Sequence, residues 1–257
     1  MMPRLVQLAS LIAMLAFGCS RQPSAEKQKR AREPVRIAVA SNFAGPAAQL
    51  ARAFEKRHPG ARVELSSGAS GKLFAQIVNG APFDIFLSAD GERPRKLEAE
   101  GHAVAGSRVH YALGRLVLVG PGMKAATDGP SVLRKGEFEH LAIANPETAP
   151  YGLAAQQVLT KLGLWETLGP RLVRGENITQ AYQFVTSGGA ELGFVALALV
   201  LEHEGPRWDV PPGLHEPIRQ DAVLLTRAKL PLANDFMAFL KSAAAKTMIR
   251  AAGYGTE

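Results

Sequence analysis

Val35-Arg36-Ile37-Ala38-Val39-Ala40 runs directly into Ser41-Asn42-Phe43-Ala44-Gly45-Pro46. Ala47, Leu50, Ala51 and Phe54 then recur at helical spacing as far as His58-Pro59-Gly60. A short β-branched run, a small polar turn, a 3.6-residue apolar period and a Pro-Gly stop predict strand, turn and helix in that order. The unit repeats. Arg62–Ser66 reads as a second strand, and Leu73 and Ile77 mark a second helix ending near Asn79-Gly80. Phe83–Ser88 is nearly continuous apolar sequence, as in strands buried on both faces. Leu141–Ala144 and Leu192–Ala196 read as later strands, with helices after Pro150 and Ile178, and Phe236, Met237 and Phe239 as the apolar face of a C-terminal helix. This alternation predicts an α/β protein with parallel sheets covered by helices. Arg115–Val119 and Asp221–Leu225 each follow a break in the helical pattern and are candidate crossings between lobes. A hinged two-lobed protein and a single doubly wound sheet both fit.

The composition narrows the classes. The 257 residues are 47% hydrophobic, enough for a sizeable core and against a mainly disordered chain. Aromatic residues make up 7%, which argues against a base-stacking platform for nucleic acid. The net charge of +7 is concentrated at the start: residues 1–34 carry six basic and two acidic side chains, leaving +3 for the rest. The basic balance therefore does not indicate a nucleic-acid partner. A single cysteine excludes an intrachain disulfide and any multi-cysteine metal site.

Arg4 is followed by an apolar run from Leu5 to Phe17, interrupted only by Gln7 and Ser10. Such a helix spans about 20 Å, short of a hydrocarbon core of about 30 Å, so the segment reads as a secretory signal over residues 1–18. Ala16-Phe17-Gly18-Cys19 resembles the lipobox of bacterial lipoproteins, which implies acylation of Cys19 as the mature N-terminus. Ordinary cleavage after Gly18, leaving a free thiol, is the alternative. Residues 20–34 have no large apolar side chain and read as a flexible tether. The folded part is expected outside the cytoplasm.

Four turns share one design. Ser41-Asn42, Ser70-Gly71-Lys72, Pro150-Tyr151-Gly152 and Asn177-Ile178-Thr179 each sit where a helix begins. There a polar cap, unpaired backbone N–H groups and the positive end of a helix dipole favour an anion. One such turn is only a capped helix; a shared site requires that the turns converge.

Enzyme signatures are missing from the chain. Gly68-Ala69-Ser70-Gly71-Lys72-Leu73 lacks the first glycine and the final hydroxyl of a phosphate loop. There is no Gly-x-Ser-x-Gly elbow, and the six histidines include no His-Glu-x-x-His pair. His203-Glu204 and His215-Glu216 read as solvated surface, and no two tyrosines are adjacent to suggest a ferric-iron site. An exported hydrolase using Ser41 or Ser70 remains the alternative of another class, its base to be supplied by the fold.

Together these segments resemble the periplasmic molybdate-binding proteins of molybdate ABC transporters, over about Val35 to Tyr254. The similarity is carried by Ala38-Val39-Ala40-Ser41-Asn42-Phe43, Ser67 through Leu73, Gly80 through Asp90, Asn145-Pro146-Glu147 through Gly152, and Gly253-Tyr254. The resemblance implies a two-lobed periplasmic binding protein fold, each lobe a mostly parallel sheet flanked by helices, with the ligand in the cleft. Lobe I would comprise 35–116 and 212–257, and lobe II 117–211. It further implies a non-enzymatic monomer that captures molybdate or tungstate for a membrane permease, without a cofactor and without direct protein ligands to the metal atom. The oxyanion-binding positions map to Ser41, Asn42, Ser70, Tyr151 and Ile178, the last two through backbone N–H. One branch of the family has a tyrosine donor where this chain has Ala196.

The chemistry of the residues is compatible. Molybdate and tungstate are dianions with acceptor oxygens only, so a site should present donors and keep carboxylates away. Monohydrogen phosphate brings a proton and favours a site with an acceptor. Sulfate, also an unprotonated dianion, differs only in size and is the alternative ligand. Lys72 is expected on a helix surface pointing to water.

Overall fold

A computed structural model describes residues 33–256, apart from 122, 124–127, 203–204 and 229–230. The leader, Cys19, most of the tether and the pair His203-Glu204 lie outside the described residues.

The chain lays down β1 (Val35–Ala40), a 3₁₀ turn over Ser41–Phe43, α1 (Ala44–Arg57), β2 (Val63–Gly68), α2 (Ser70–Val78), β3 (Ile85–Leu87), α3 (Glu92–Ala99) and β4 (Val109–Gly114). One residue later it enters β5 (Leu116–Val119), followed by α4 (Gly129–Lys135), β6 (Leu141–Ala144), α5 (Pro150–Lys161), α6 (Trp165–Leu168), β7 (Leu172–Gly175), α7 (Ile178–Thr186), β8 (Leu192–Ala196) and β9 (Arg207–Asp209). It returns through β10 (Ile218–Leu224) and ends in α8 (Pro231–Leu240) and α9 (Ala243–Ala251).

The strands form two five-stranded sheets, β2-β1-β3-β10-β4 and β7-β6-β8-β5-β9. Their plans match. β1 pairs in parallel with β2 and β3, while β10 runs antiparallel between β3 and β4. β6 pairs in parallel with β7 and β8, while β5 runs antiparallel between β8 and β9. In each sheet four strands point one way, and the reversed strand is the one beside a crossing. This is the two-lobed, mostly parallel architecture of a periplasmic binding protein.

Strand alternation divides the first lobe's core. Val35, Ile37, Val39, Ile85, Leu87, Ala222 and Leu224 pack with Phe54, Phe236 and Ile249 from the helices on one face. Their neighbours Ala38, Phe86 and Val223 pack with Leu73, Ile77 and Leu97 on the other. Period-two burial on both faces explains why these strands read as continuous apolar runs. The second lobe's core includes Val117, Ile143, Phe194 and Leu159, and it extends to Ala40, Ala69, Ala89 and Ile218 from the first sheet's side. Three of those four are alanines, small enough for the lobes to approach closely.

Several boundaries move from their sequence positions. The second strand runs Val63–Gly68 and the third shrinks to Ile85–Leu87. Asp84, just before β3, bonds its neighbours with backbone and side chain together: its N–H donates to the Arg36 carbonyl at 2.8 Å and its carboxylate accepts the Arg36 N–H at 2.8 Å. The expected strand at Asp221–Leu225 begins earlier, at Ile218, because Gln220 is buried although polar. β4, β7, β9, α3, α4, α6 and α9 were not anticipated.

Phe43 fastens the first turn to this core. It is fully buried, with its ring edge-on to Tyr111 at 4.8 Å and to Tyr254 at 5.2 Å between centroids. Phe43→Ala is expected to cost about 3–5 kcal/mol, as large aromatic truncations in packed cores do. Denaturant unfolding followed by circular dichroism measures it.

Candidate functional site

Ser41, Ser70, Tyr151 and Ile178 each stand at the first or second residue of a helical turn that follows a parallel strand, two from each sheet. All four are buried. Hydrogen bonds join the turns in pairs across the lobes. Thr179 Oγ1 donates to the Ser41 carbonyl at 3.3 Å, and the Gly71 N–H donates to the Thr148 carbonyl at 2.8 Å. The fold thus brings the first turn to the fourth and the second to the loop before the third.

The local hydrogen bonding selects the donors that remain. At α7, the Asn177 side chain accepts from the N–H groups of Thr179 and Gln180, and Ala181 bonds the Asn177 carbonyl. Ile178 is left as the first-turn N–H without a partner among the described residues. At α5, Pro150 has no N–H, and Gly152 and Leu153 both donate to the Ala149 carbonyl. The Tyr151 N–H is left over in the same way. Gly152 permits the tight entry of α5, since a Cβ there would collide with the Ala144 carbonyl at the end of β6. Ser70 Oγ accepts the Ala89 N–H at 3.0 Å, which keeps its own hydrogen available to donate.

Asn42 belongs to the same turn, but its side chain is occupied. Nδ2 donates to Gln220 Oε1 at 3.0 Å and to the Tyr254 hydroxyl at 3.1 Å. The Tyr254 hydroxyl in turn donates to the Asn42 carbonyl at 2.7 Å. Both amide hydrogens are therefore spent, which leaves the backbone N–H as this residue's donor. Ala196 lies buried at the end of β8, opposite Leu116. The Tyr151 hydroxyl is engaged at 3.3 Å by Gln220 Nε2.

Charged groups near the turns are paired elsewhere. Asp90 is held by Arg93, and Glu176 by Lys72 at 2.9 Å. Lys72 was expected to point to water; its ammonium instead meets a carboxylate from the other lobe, because the second and fourth turns face each other. With Lys72 and Glu176 side chains 49% and 66% exposed, the pair is a solvated rim contact. Neither Ser41 nor Ser70 is hydrogen-bonded to a histidine among the described residues; Ser70 Oγ meets the Ala89 N–H.

Three functional-looking residues had no sequence signal. Gln220 is fully buried at the centre of the tyrosine network. Tyr111 donates from lobe I, its hydroxyl 3.0 Å from the Ser88 carbonyl and 3.1 Å from Gln220 Oε1. Thr148 Oγ1 is buried and has no partner among the described residues, in the loop that receives Gly71.

The chain matches the family of bacterial extracellular solute-binding proteins over residues 35–255. It belongs to that family. Among its relatives, the molybdate-binding protein ModA of Azotobacter vinelandii is 50% identical over 228 residues, covering 87% of this chain and 90% of the relative. ModA of Rhodobacter capsulatus is 47% identical over 222 residues, covering 86% and 87%. The solved structure of the Azotobacter vinelandii periplasmic molybdate-binding protein superposes with a TM-score of 0.81 at 41% identity, covering 87% of this chain and 99% of that one. These relatives are binding proteins of an extracytoplasmic solute-binding family.

Burial raises the pKa of Tyr111 and Tyr254 well above the usual phenol value and also raises that of Tyr151, because a phenolate there would lose its hydration. Below about pH 10 all three are neutral in both the folded and the unfolded chain. Above it the unfolded chain releases protons that the folded chain retains, so stability falls as pH rises. We expect Tyr111, Tyr151 and Tyr254 to ionise only with unfolding, in a cooperative late step of the 295 nm absorbance titration. Three independent ionisations near pH 10 in a still-folded protein would contradict it.

Proposed function

We propose that this chain captures molybdate, and equally the isostructural tungstate, in the cleft between its lobes and delivers it to the permease of an ABC importer. One observation carries the reading: four helix starts, two from each sheet, meet in cross-lobe pairs while particular first-turn donors lack partners. Ser41 and Ser70 supply hydroxyl groups, and Asn42, Tyr151 and Ile178 supply backbone N–H. The named groups include backbone N–H and hydroxyl donors and no carboxylate. A fully deprotonated tetrahedral dianion can use every one of them as a donor, whereas an anion that keeps a proton must turn a serine hydroxyl into its acceptor and so loses a donor. Helix dipoles provide the compensating field without a cation in the site. The protein acts by binding and release, as a monomer, with no catalytic step.

Lobe I comprises 35–115 and 212–257 and lobe II 116–211; the first boundary lies one residue before the one read from sequence, a reading supported by the pairing of Leu116 with Ala196. Cys19 is the acyl acceptor and residues 20–34 the tether that lets the folded part reach its permease. Cys19→Ser is expected to move the protein from the membrane fraction to the soluble extracytoplasmic fraction. Retention of that variant in washed membranes would count against acylation.

Calorimetric titration with molybdate, tungstate, sulfate and phosphate tests the ligand. Tight binding of the first two alone is expected. Ser41→Ala and Ser70→Ala each remove a hydrogen bond to a charged ligand, about 1.5–3 kcal/mol, or about tenfold to a hundredfold in Kd. Unchanged affinity in both variants would exclude this site.

A further inference from the structure

Gln220 is fully buried, yet it offers four hydrogen-bonding positions at the point where the chain crosses between lobes. The register of β10 on β4 shifts here: Gln220 faces Ala112 while Asp221 faces His110, which leaves Tyr111 without an opposite residue. The irregularity brings the Tyr111 hydroxyl to Gln220 Oε1, the oxygen that also accepts from Asn42. With Oε1 receiving two donors, the amide orientation is fixed, and Nε2 faces the Tyr151 hydroxyl of the other lobe at 3.3 Å. Gly114, the last residue before the first crossing, makes room for this reach. A Cβ there would collide with the Tyr151 hydroxyl and lie 2.8 Å from Gln220 Nε2.

Tyr151 therefore has two ends with two duties. Its backbone N–H stands at the start of α5 in lobe II, and its side chain is anchored in lobe I. Asn42 is the counterpart in lobe I, its side chain tied to Gln220 and Tyr254 and its backbone in the first donor turn.

We infer that Gln220 is a positioning residue that couples the lobe I donor turn at Ser41-Asn42 to the lobe II donor turn at Tyr151, so that both present their donors to one anion together. The inference deepens the oxyanion reading above and rests on it. Glutamine suits the task because one planar group must accept twice and donate once; leucine does neither, and glutamate cannot donate when ionised. The link is neutral, so it fixes geometry without adding charge beside a dianion.

A double-mutant cycle tests it on the purified protein titrated with sodium molybdate. Tyr151→Phe deletes only the hydroxyl and keeps the backbone donor. Gln220→Leu deletes the hub. Each is expected to raise Kd by about tenfold, and the double variant by no more than the larger single effect, because one link is lost in all three. A generally loosened fold would instead give losses that multiply in the double variant, which overturns the inference, as do single variants with wild-type affinity. If Gln220→Leu does not fold, the near-isosteric Gln220→Met replaces it in the same cycle, since it removes the donor to Tyr151 without adding a charge beside the anion. A wild-type protein that gives no heat with molybdate overturns the ligand reading and this one with it. Wild-type binding with an additive cycle overturns only the coupling.

Discussion

A dianion leaves water only where protein N–H and O–H groups replace its hydration, and those groups must themselves be free of other partners. That constraint organises the cleft. A helix always leaves its first N–H groups without intrahelical acceptors, and a βα unit aims them past the end of the preceding strand. Most of these orphans are satisfied locally here. The Asn177 carboxamide takes two at α7, the Ala149 carbonyl takes two at α5, and proline removes another. What is left over at Tyr151 and Ile178 is a small, directed set of donors. Capping in this protein selects donors as much as it stabilises helices.

The contacts that bring the lobes together differ in what they can hold. Lys72–Glu176 and the reach of Arg93 to the Glu147 carbonyl at 3.3 Å lie on the exposed rim. Solvent screening makes such pairs worth little, typically about 0–1 kcal/mol. The buried contacts are the consequential ones. Ala40, Ala69 and Ala89 join the second lobe's core, and the Gly71–Thr148 bond closes backbone to backbone. Leaving a buried donor or acceptor unpaired costs about 1–3 kcal/mol, so the Gln220 network resists partial opening more firmly than the rim does.

The repeated strand–turn–helix unit was legible because it is local: β-branched runs, capping residues and Pro-Gly stops act within a few positions. β6 and β8 fall where the sequence placed them, and the four helix-start turns were visible as turns. Their convergence was not: the breaks in pattern marked candidate crossings at Arg115–Val119 and Asp221–Leu225, but how those crossings set one sheet against the other has no local signal. Asn42 shows the limit at one residue. The turn it occupies was identified, but the direction of its carboxamide is set by Gln220 and Tyr254, 178 and 212 positions away. Gln220 itself reads as surface in any hydrophobic pattern. A buried glutamine becomes intelligible only with its partners in view.

The neighbour of Gln220 explains why that position must be neutral. Asp221 is also buried, but strand alternation turns it to the other side, where its carboxylate meets Arg108 at 2.9 Å and His110 at 3.0 Å. Two consecutive residues of β10 thus separate a cluster of titratable side chains from an uncharged amide network, and the register shift lies between them. A slip of one residue would exchange their faces and put a carboxylate against Asn42 and Tyr151. In a poorly solvated cleft that charge would oppose an incoming dianion far more strongly than it would in water. The irregularity at Tyr111 therefore does more than admit one extra residue into β4. It brings the Tyr111 hydroxyl to Gln220 Oε1, on the face from which strand alternation along β10 turns the Asp221 carboxylate away.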